Sequence, residues 1–406
     1  MKALICITSL FSITSYSQLV NPIEINTRNM LNPIIYSGDF MLLSVDARAA
    51  GMGDQGIALD PDANSIHWNT AQMAFSEDKM GYSVSFYPWL NSLVNDIFVG
   101  AASGYGTFGE NRKHALAGMF NWITLGELHT TDPFGNIIAT YRPFDLRAVA
   151  GYAIQLSSRN SMGINAQFFY SDVIADTPFG DGSASSVSVD ISYAYCNDEI
   201  SIGGLSSILR WGINISNLGN KLKFFDTDTI GDFIPANFRV GVSYHVKFTT
   251  DHSMTLLGST NKLLVPTSPV RNSSSEVVSG YDPIDVSVPG SWFRSFYDAP
   301  GTLWLHPDGS YELQKGSRLK EEMSEIQWSI GTEYKFKDYA AVRFGYFHET
   351  YRKGNRKFLT FGLGGGFKGF NLDVSYWLPF SNLSPLKHQM KFTLLYKLKR
   401  KDLSVR

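Results

Sequence analysis

Gly51-Met52-Gly53-Asp54-Gln55-Gly56 has the spacing G-x-G-x-x-G. Between a strand and a helix, that spacing cradles a dinucleotide pyrophosphate. Here Ile57 to Asp62 leads into an Asp-Pro break, and no βαβ pattern follows. These glycines are therefore expected to permit tight or left-handed backbone in a crowded interior. A second cluster, Gly362, Gly364, Gly365 and Gly366, lacks the Lys-Ser/Thr of a phosphate loop. It sits in a strand pattern whose other face is Phe361, Leu363 and Phe367, so its expected role is to make room for a plug or to ease wall curvature. Asp60, Asp62 and Asn64 open like a calcium loop, but the later glycine and the terminal bidentate Glu are missing. A cap at Asp60, with Pro61 starting a short helix to about Met73, accounts for the same residues. The eight histidines (67, 114, 129, 245, 252, 306, 348 and 388) fall in no recognisable Ser-His pairing motif. Neither catalysis nor a cofactor or metal site is expected.

The elements that must hold these residues are strands. From Ser186 to Cys196, Val187, Val189, Ile191, Tyr193 and Tyr195 take one face; Ser186, Ser188, Asp190, Ser192 and Ala194 take the other. Period two is a pleated strand with one apolar face. Fourteen such segments follow one another from residue 79 to 398. Connections after even-numbered strands are short, such as Lys337-Asp338 and Lys368-Gly369; those after odd-numbered strands are longer. The exception is the link after the sixth strand, about 197–208. Short turns on one side and long loops on the other, with an even strand number, predict an all-β, antiparallel transmembrane barrel. Charged residues are 18% and aromatics 14% of the chain, and many aromatics sit near strand ends, as interfacial girdles require. A net charge of −2 argues against nucleic-acid binding.

Residues 1–17 read as an export signal: Lys2 is basic, Ala3 to Ile13 is apolar, and Ser15-Tyr16-Ser17 is a small-x-small cleavage site. The mature chain then holds Cys196 alone, which makes no internal disulfide. Residues 18–78 lack alternation and are expected to plug the barrel. Residues 399–406 form a short tail. With the long loops extracellular, both chain ends are expected in the periplasm.

Three outer segments stand out. The first connection, around Pro88, Trp89, Leu90 and Leu93, is apolar for a loop; it either folds inward or forms a lip that docks a partner. Arg352, Lys353, Arg356 and Lys357 make a basic loop, either simply solvated or able to bind anionic lipopolysaccharide or a partner carboxylate. The 262–325 insertion carries five prolines between 266 and 300. A loop of that length is functional or disordered.

Several of these segments resemble the PorV family of type IX secretion. Leu43-Ser44-Val45-Asp46-Ala47-Arg48-Ala49-Ala50-Gly51-Met52-Gly53-Asp54, Pro61-Asp62-Ala63 and His67-Trp68-Asn69 are similar to its N-terminal region. Tyr87-Pro88-Trp89-Leu90 is similar to its first hairpin, Phe296-Tyr297-Asp298-Ala299-Pro300-Gly301 to its long loop, and Gly345 to Glu349 with Lys353 to Lys357 is the most specific match. Asn69-Thr70-Ala71 departs from the usual Asn-Pro-Ala. The resemblance implies a barrel like the fourteen-stranded fatty-acid transporter FadL. It makes Ala47, Arg48, Gly51, Met52, Gly53, Asp54 and Asn69 the plug motif. The implied role is non-catalytic: receiving cargo from the type IX translocon barrel by its C-terminal signal domain and passing it to an attachment complex with a sortase-like C25-type peptidase. Trp89, Leu90, Leu93, Phe296 and Tyr297 are then candidate contacts. The alternative is a FadL-like importer of hydrophobic small molecules, with an apolar pocket under the loops.

Overall fold

The computed structural model describes residues 31–172, 182–225, 231–305 and 310–399. The export signal and most of the tail lie outside them. Fourteen antiparallel strands close into a barrel, each hydrogen-bonded to its neighbours in sequence and the first to the last. Numbered in chain order they are β1 Met80–Pro88, β2 Ile97–Phe108, β3 His114–Leu125, β4 Phe144–Gln155, β5 Asn160–Asp172, β6 Ser183–Ile202 and β7 Leu205–Gly219. The second half comprises β8 Asn237–Lys247, β9 His252–Leu263, β10 Gln327–Phe336, β11 Ala340–His348, β12 Lys357–Phe367, β13 Phe370–Pro379 and β14 Met390–Leu398. No described helix is long and apolar enough to cross a membrane.

The alternation seen in the sequence is the wall. In β6, Val187, Val189 and Ile191 face outward, while Ser186, Ser188, Asp190 and Ser192 are buried. The same pattern runs through β1, where Tyr82, Val84 and Phe86 point out and Ser83 and Ser85 point in. An outer face of aliphatic and aromatic side chains over a polar inner face is the pattern for a wall between lipid and a filled lumen.

The exception in the loop lengths disappears. The segment read as a long link at 197–208 is strand: β6 runs to Ile202, β7 starts at Leu205, and Gly203-Gly204 turns between them at φ 60° and 80°. The polar run Asn197-Asp198-Glu199 hides this, because period two is invisible where both faces are polar. Every short turn then lies at one mouth and every long connection at the other.

Residues 31–78 run through the lumen from the long-loop mouth to the short-turn mouth. At the first, Asn32 N donates to Arg352 O at 2.7 Å and Ser37 N to Phe233 O at 2.9 Å. At the second, Ser76 Oγ lies 2.6 Å from Tyr105 Oη, and Lys79 N donates to Leu398 O at the end of β14. The described chain thus starts at the mouth opposite to the end of β14, where the sequence alone suggests that both ends share the short-turn side. The chain ends themselves lie outside the described residues.

The predicted helix from Pro61 to Met73 is also different. It is a four-residue helix, Ser65–Trp68, then a tight turn, Thr70–Phe75, broken at Asn69. Asp60 does not cap it, because Asp60 is bound by Arg48. Asn69 caps the turn through Ala71 N. Thr70, at the first position of that turn, bonds Asn165 Oδ1 on β5 at 2.7 Å. A proline at that position would fit the turn without this bond.

Candidate functional site

Two regions concentrate the residues singled out in the sequence: a seam between plug and wall, and the long-loop mouth.

Asp46 starts the seam. It caps the short helix Ala47–Ala50 by accepting from Ala49 N at 2.7 Å, and its second oxygen accepts from Trp68 Nε1 at 2.9 Å. The helix ends at Gly51, whose absent Cβ would stand 3.0 Å from Gly362 Cα on β12. Gly53 has φ 81°, and a Cβ there would stand 2.8 Å from Tyr346 O and 2.9 Å from Ile330 O. On the wall, Gly331 of β10 and Gly345 of β11 are paired, and each faces Met52 or Gly53. The plug turn therefore lies backbone against backbone on a glycine groove, with Gly53 N donating to Thr360 Oγ1 at 2.8 Å. Gly51, Gly53 and Gly362 make room for the plug in this way. Gly364 and Gly366 instead have wall residues as their nearest neighbours, and Gly365 faces open space.

Charge locks the same place. Arg48 binds Glu333 of β10 through two nitrogens at 2.9 and 3.1 Å, and also binds Asp60 and Asp62. Glu333 in turn accepts from Arg343 Nε at 2.7 Å, and Arg343 Nη1 donates to Asp373 at 2.7 Å. Lys391 of β14 donates to Ser44 O at 3.1 Å, and Tyr87 donates to the same oxygen at 2.9 Å. Trp377 Nε1 donates to Ala50 O at 3.1 Å. The plug residues Ala47, Arg48, Gly51, Met52, Gly53 and Asp54 thus form one segment against the wall, while Asn69 lies apart and donates to Ile57 O and to Tyr193 O of β6. Their partners Glu333, Arg343, Asp373 and Lys391 escape the sequence reading. The available signal is charge at lumen-facing positions of apolar strands.

At the long-loop mouth the structure separates residues grouped by sequence. Tyr87 is fully buried, and Trp89 packs edge-on against Tyr87 and Trp377. Leu90 joins the cluster of Ala50, Phe347, Phe358, Trp377 and Leu386. Trp89 and Leu90 therefore turn inward over the plug and are half-buried, as is Pro88, while Asn91, Ser92, Asn95 and Asp96 are exposed and Leu93 stays 52% exposed. Within the basic loop, Lys353 is buried and paired with Glu321 and Glu325, so it does not belong to an exposed basic surface. Arg356 is held by Glu349 at 2.8 Å, Arg352 turns toward Glu321, and Lys357 is half-buried at the start of β12. Phe296 and Tyr297 remain 49% and 58% exposed, and Phe293 and Ile284 of the same insertion are exposed as well.

The long insertion is ordered where described. It contains the helices Val288–Arg294 and Ser317–Ser324 and the two-stranded pairs Val270–Arg271 with Val277–Ser279 and Leu303–Leu305 with Tyr311–Leu313. Val265 and Val286 pack with Phe233 and with Ile34 and Tyr36 of the plug's entry strap. The strap thus joins the cap to the lumen.

The lumen below the loops holds Phe40 and Met41 against Tyr87, Ile97, Val99 and Phe169. A cavity of about 260 Å³ opens instead at the short-turn mouth, lined by Phe75, Glu77, Arg112, Cys196 and Arg210 among others. The barrel histidines bond hydroxyls: His114 with Tyr152, His252 with Tyr334, His388 with Tyr376 and His245 with Thr255.

Solved structures with the same fold include the toluene transporter TodX of P. putida, at TM-score 0.50 and 10% identity over 88% of this chain and 99% of that one. The toluene transporter TbuX of Ralstonia pickettii gives TM-score 0.46 and 10% identity over 89% and 100%. A FadL homologue of Pseudomonas aeruginosa gives 0.43 and 10% over 91% and 99%. No curated protein matches. The family model described as type IX secretion system protein PorV matches residues 26–270, more than half of the chain. The chain belongs to the PorV family of type IX secretion proteins.

Proposed function

We propose that this barrel is a non-catalytic carrier of type IX secretion in the outer membrane. It takes the C-terminal signal domain of a cargo protein at the translocon barrel, on its long-loop side, and delivers the cargo to the attachment complex and its sortase-like C25-type peptidase. The long loops face outside the cell, where lipopolysaccharide surrounds the wall. The observation that carries this reading is the division of the molecule. The lumen is filled by a plug seated on glycines and ion pairs, while the long-loop mouth carries a folded cap with exposed Phe293, Phe296 and Tyr297. A β-rich cargo domain can dock by adding a strand to one of the cap's two-stranded pairs. The importer reading asks for an apolar chamber beneath the loops, the space that Phe40, Met41, Tyr87 and Trp89 occupy.

The test is affinity copurification of the tagged barrel from outer membranes in mild detergent, followed by mass spectrometry. Recovery of a giant translocon barrel, a C25-type peptidase or proteins still carrying C-terminal signal domains is the expected result. Recovery of the barrel alone, with hydrophobic small molecules bound in it, overturns the carrier reading.

A further inference from the structure

The charged groups of the cap converge on one closed point. Asp298, Glu322 and Glu325 each present a carboxylate oxygen, all within 4.8 Å of one another. The three residues are 2%, 7% and 3% exposed. Lys262, at the end of β9, meets Glu325 Oε2 at 2.6 Å and Glu322 Oε2 at 3.1 Å. Lys353, from the β11–β12 connection, meets Glu325 Oε1 at 2.9 Å and Glu321 Oε1 at 3.0 Å. Arg352 stands 3.8 Å from Glu321 Oε2. Four carboxylates therefore face three cations, and one negative charge is in excess.

The hydrogen bonds locate the excess. Both oxygens of Glu325 meet a lysine. Glu321 Oε2 accepts from Gly301 N at 2.9 Å, and Glu322 Oε1 from Ala299 N at 2.7 Å. Asp298 Oδ2 accepts from Thr267 N at 3.2 Å, but Asp298 Oδ1 is buried with no hydrogen-bond partner among the described residues. A carboxylate buried this way is strongly unfavourable unless a cation or a proton answers it.

We propose that Asp298, Glu322 and Glu325 bind a divalent cation of the calcium type, which ties two parts of the cap to each other. The donors are hard oxygens with no His or Cys among them, which suits calcium rather than zinc. Three carboxylates, the neighbouring Thr267 hydroxyl and water supply the oxygen-rich, irregular shell that calcium tolerates and magnesium does not. Glu322 and Glu325 lie on the helix side of the site and Asp298 on the preceding loop, so the ion bridges two parts of the cap. Lys262 already bridges Glu322 and Glu325 and is the ion's competitor.

The test uses the full chain in detergent micelles, stripped with chelator and titrated with calcium chloride, with limited proteolysis of 264–326 as readout. Protection is expected to saturate with a midpoint of about 0.1–1 mM, the range of extracellular calcium modules. Asp298→Asn is expected to raise the midpoint at least about tenfold. Lys262→Met removes the competing ammonium and is expected to lower it, which also guards against a merely misfolded Asp298 variant. Protection of the parent chain that is indifferent to calcium up to about 10 mM overturns the proposal, as does an Asp298→Asn chain that responds like the parent.

Discussion

The seam and the cap are both buried and both rich in ion pairs, yet they are built on different contacts. At the seam, backbone touches backbone: Gly51 on Gly362, and the Met52-Gly53 turn on Gly331 and Gly345. The charges around it fasten a fit that close backbone approach has already fixed. In the cap, long side chains reach across gaps: Lys262 and Lys353 span from the barrel rim to the carboxylates of one eight-residue helix and its flank. The seam also opens to water at one edge, where Asp60 and Lys335 side chains are 31% and 28% exposed, while the side chains of Glu321 and Glu325 in the cap are fully buried. A contact made by glycine backbones cannot loosen by a rotamer change; one made by lysine side chains can.

The largest effect is expected at Glu333. Its carboxylate satisfies Arg48, Arg343 and Lys335 at once, so Glu333→Ala takes a shared partner from two buried guanidinium groups, leaving Arg48 with Asp60 and Asp62 and Arg343 with Asp373. Breaking one side of such a buried pair costs about 3–5 kcal/mol. Denaturant unfolding of the barrel in lipid vesicles should show that loss. An unchanged midpoint would mean that the seam charges are solvated, and the contrast with the cap would collapse.

Gly345→Ala comes next. The new methyl group meets Gly53 N and the Met52 carbonyl carbon, and overpacking of this kind costs about 1–3 kcal/mol. Gly365→Ala is the control, because nothing lies within 4 Å of the added atom. If both substitutions have the same effect, the glycines serve strand curvature alone rather than the plug.

Lys353→Met tests the other region. It removes the cation shared by Glu321 and Glu325 and is expected to make 264–326 sensitive to protease while barrel unfolding shifts little. Equal loss of both would show that cap and barrel unfold as one unit.

These regions are not equally legible in the sequence. Strands such as β6 and β12 can be read because period two with one aliphatic face fits a half-buried strand and little else. Gly51, Gly53 and Gly362 can be read as crowding, since neither cluster carries the residues that a ligand-binding turn needs. Asp60 misleads because capping is a rule about the next few residues. Its partner Arg48 lies 12 positions back and is itself held by Glu333, 285 positions further on. Lys353 misleads for a similar reason. In sequence it belongs to a basic run, and only the fold brings Glu321 and Glu325 to it. Trp89 and Leu90 allow either packing or docking in sequence; the fold half-buries both against Trp377 and its neighbours, a contact more than 280 positions away.

The smallest effect on stability, and the sharpest on the proposed role, is expected from Phe296→Ala combined with Tyr297→Ala. Tyr297 is 58% exposed, and Phe296 touches Phe238 at its edge with a ring-centroid distance of 6.3 Å. Truncating such residues changes folding stability by no more than about 0.5 kcal/mol, because little buried area is lost. At an interface, however, large aromatics contribute most of the binding energy. Proteins carrying C-terminal signal domains should therefore copurify several-fold less well with the double variant, while its cap stays as protease-resistant as the parent's. The Lys353→Met chain gives the complementary result if cargo docks on an ordered cap: intact aromatics, a loosened frame and the same loss of cargo. If the aromatic variant retains cargo and the loosened one does not, recognition lies in the backbone edges of the two-stranded pairs rather than in the exposed rings.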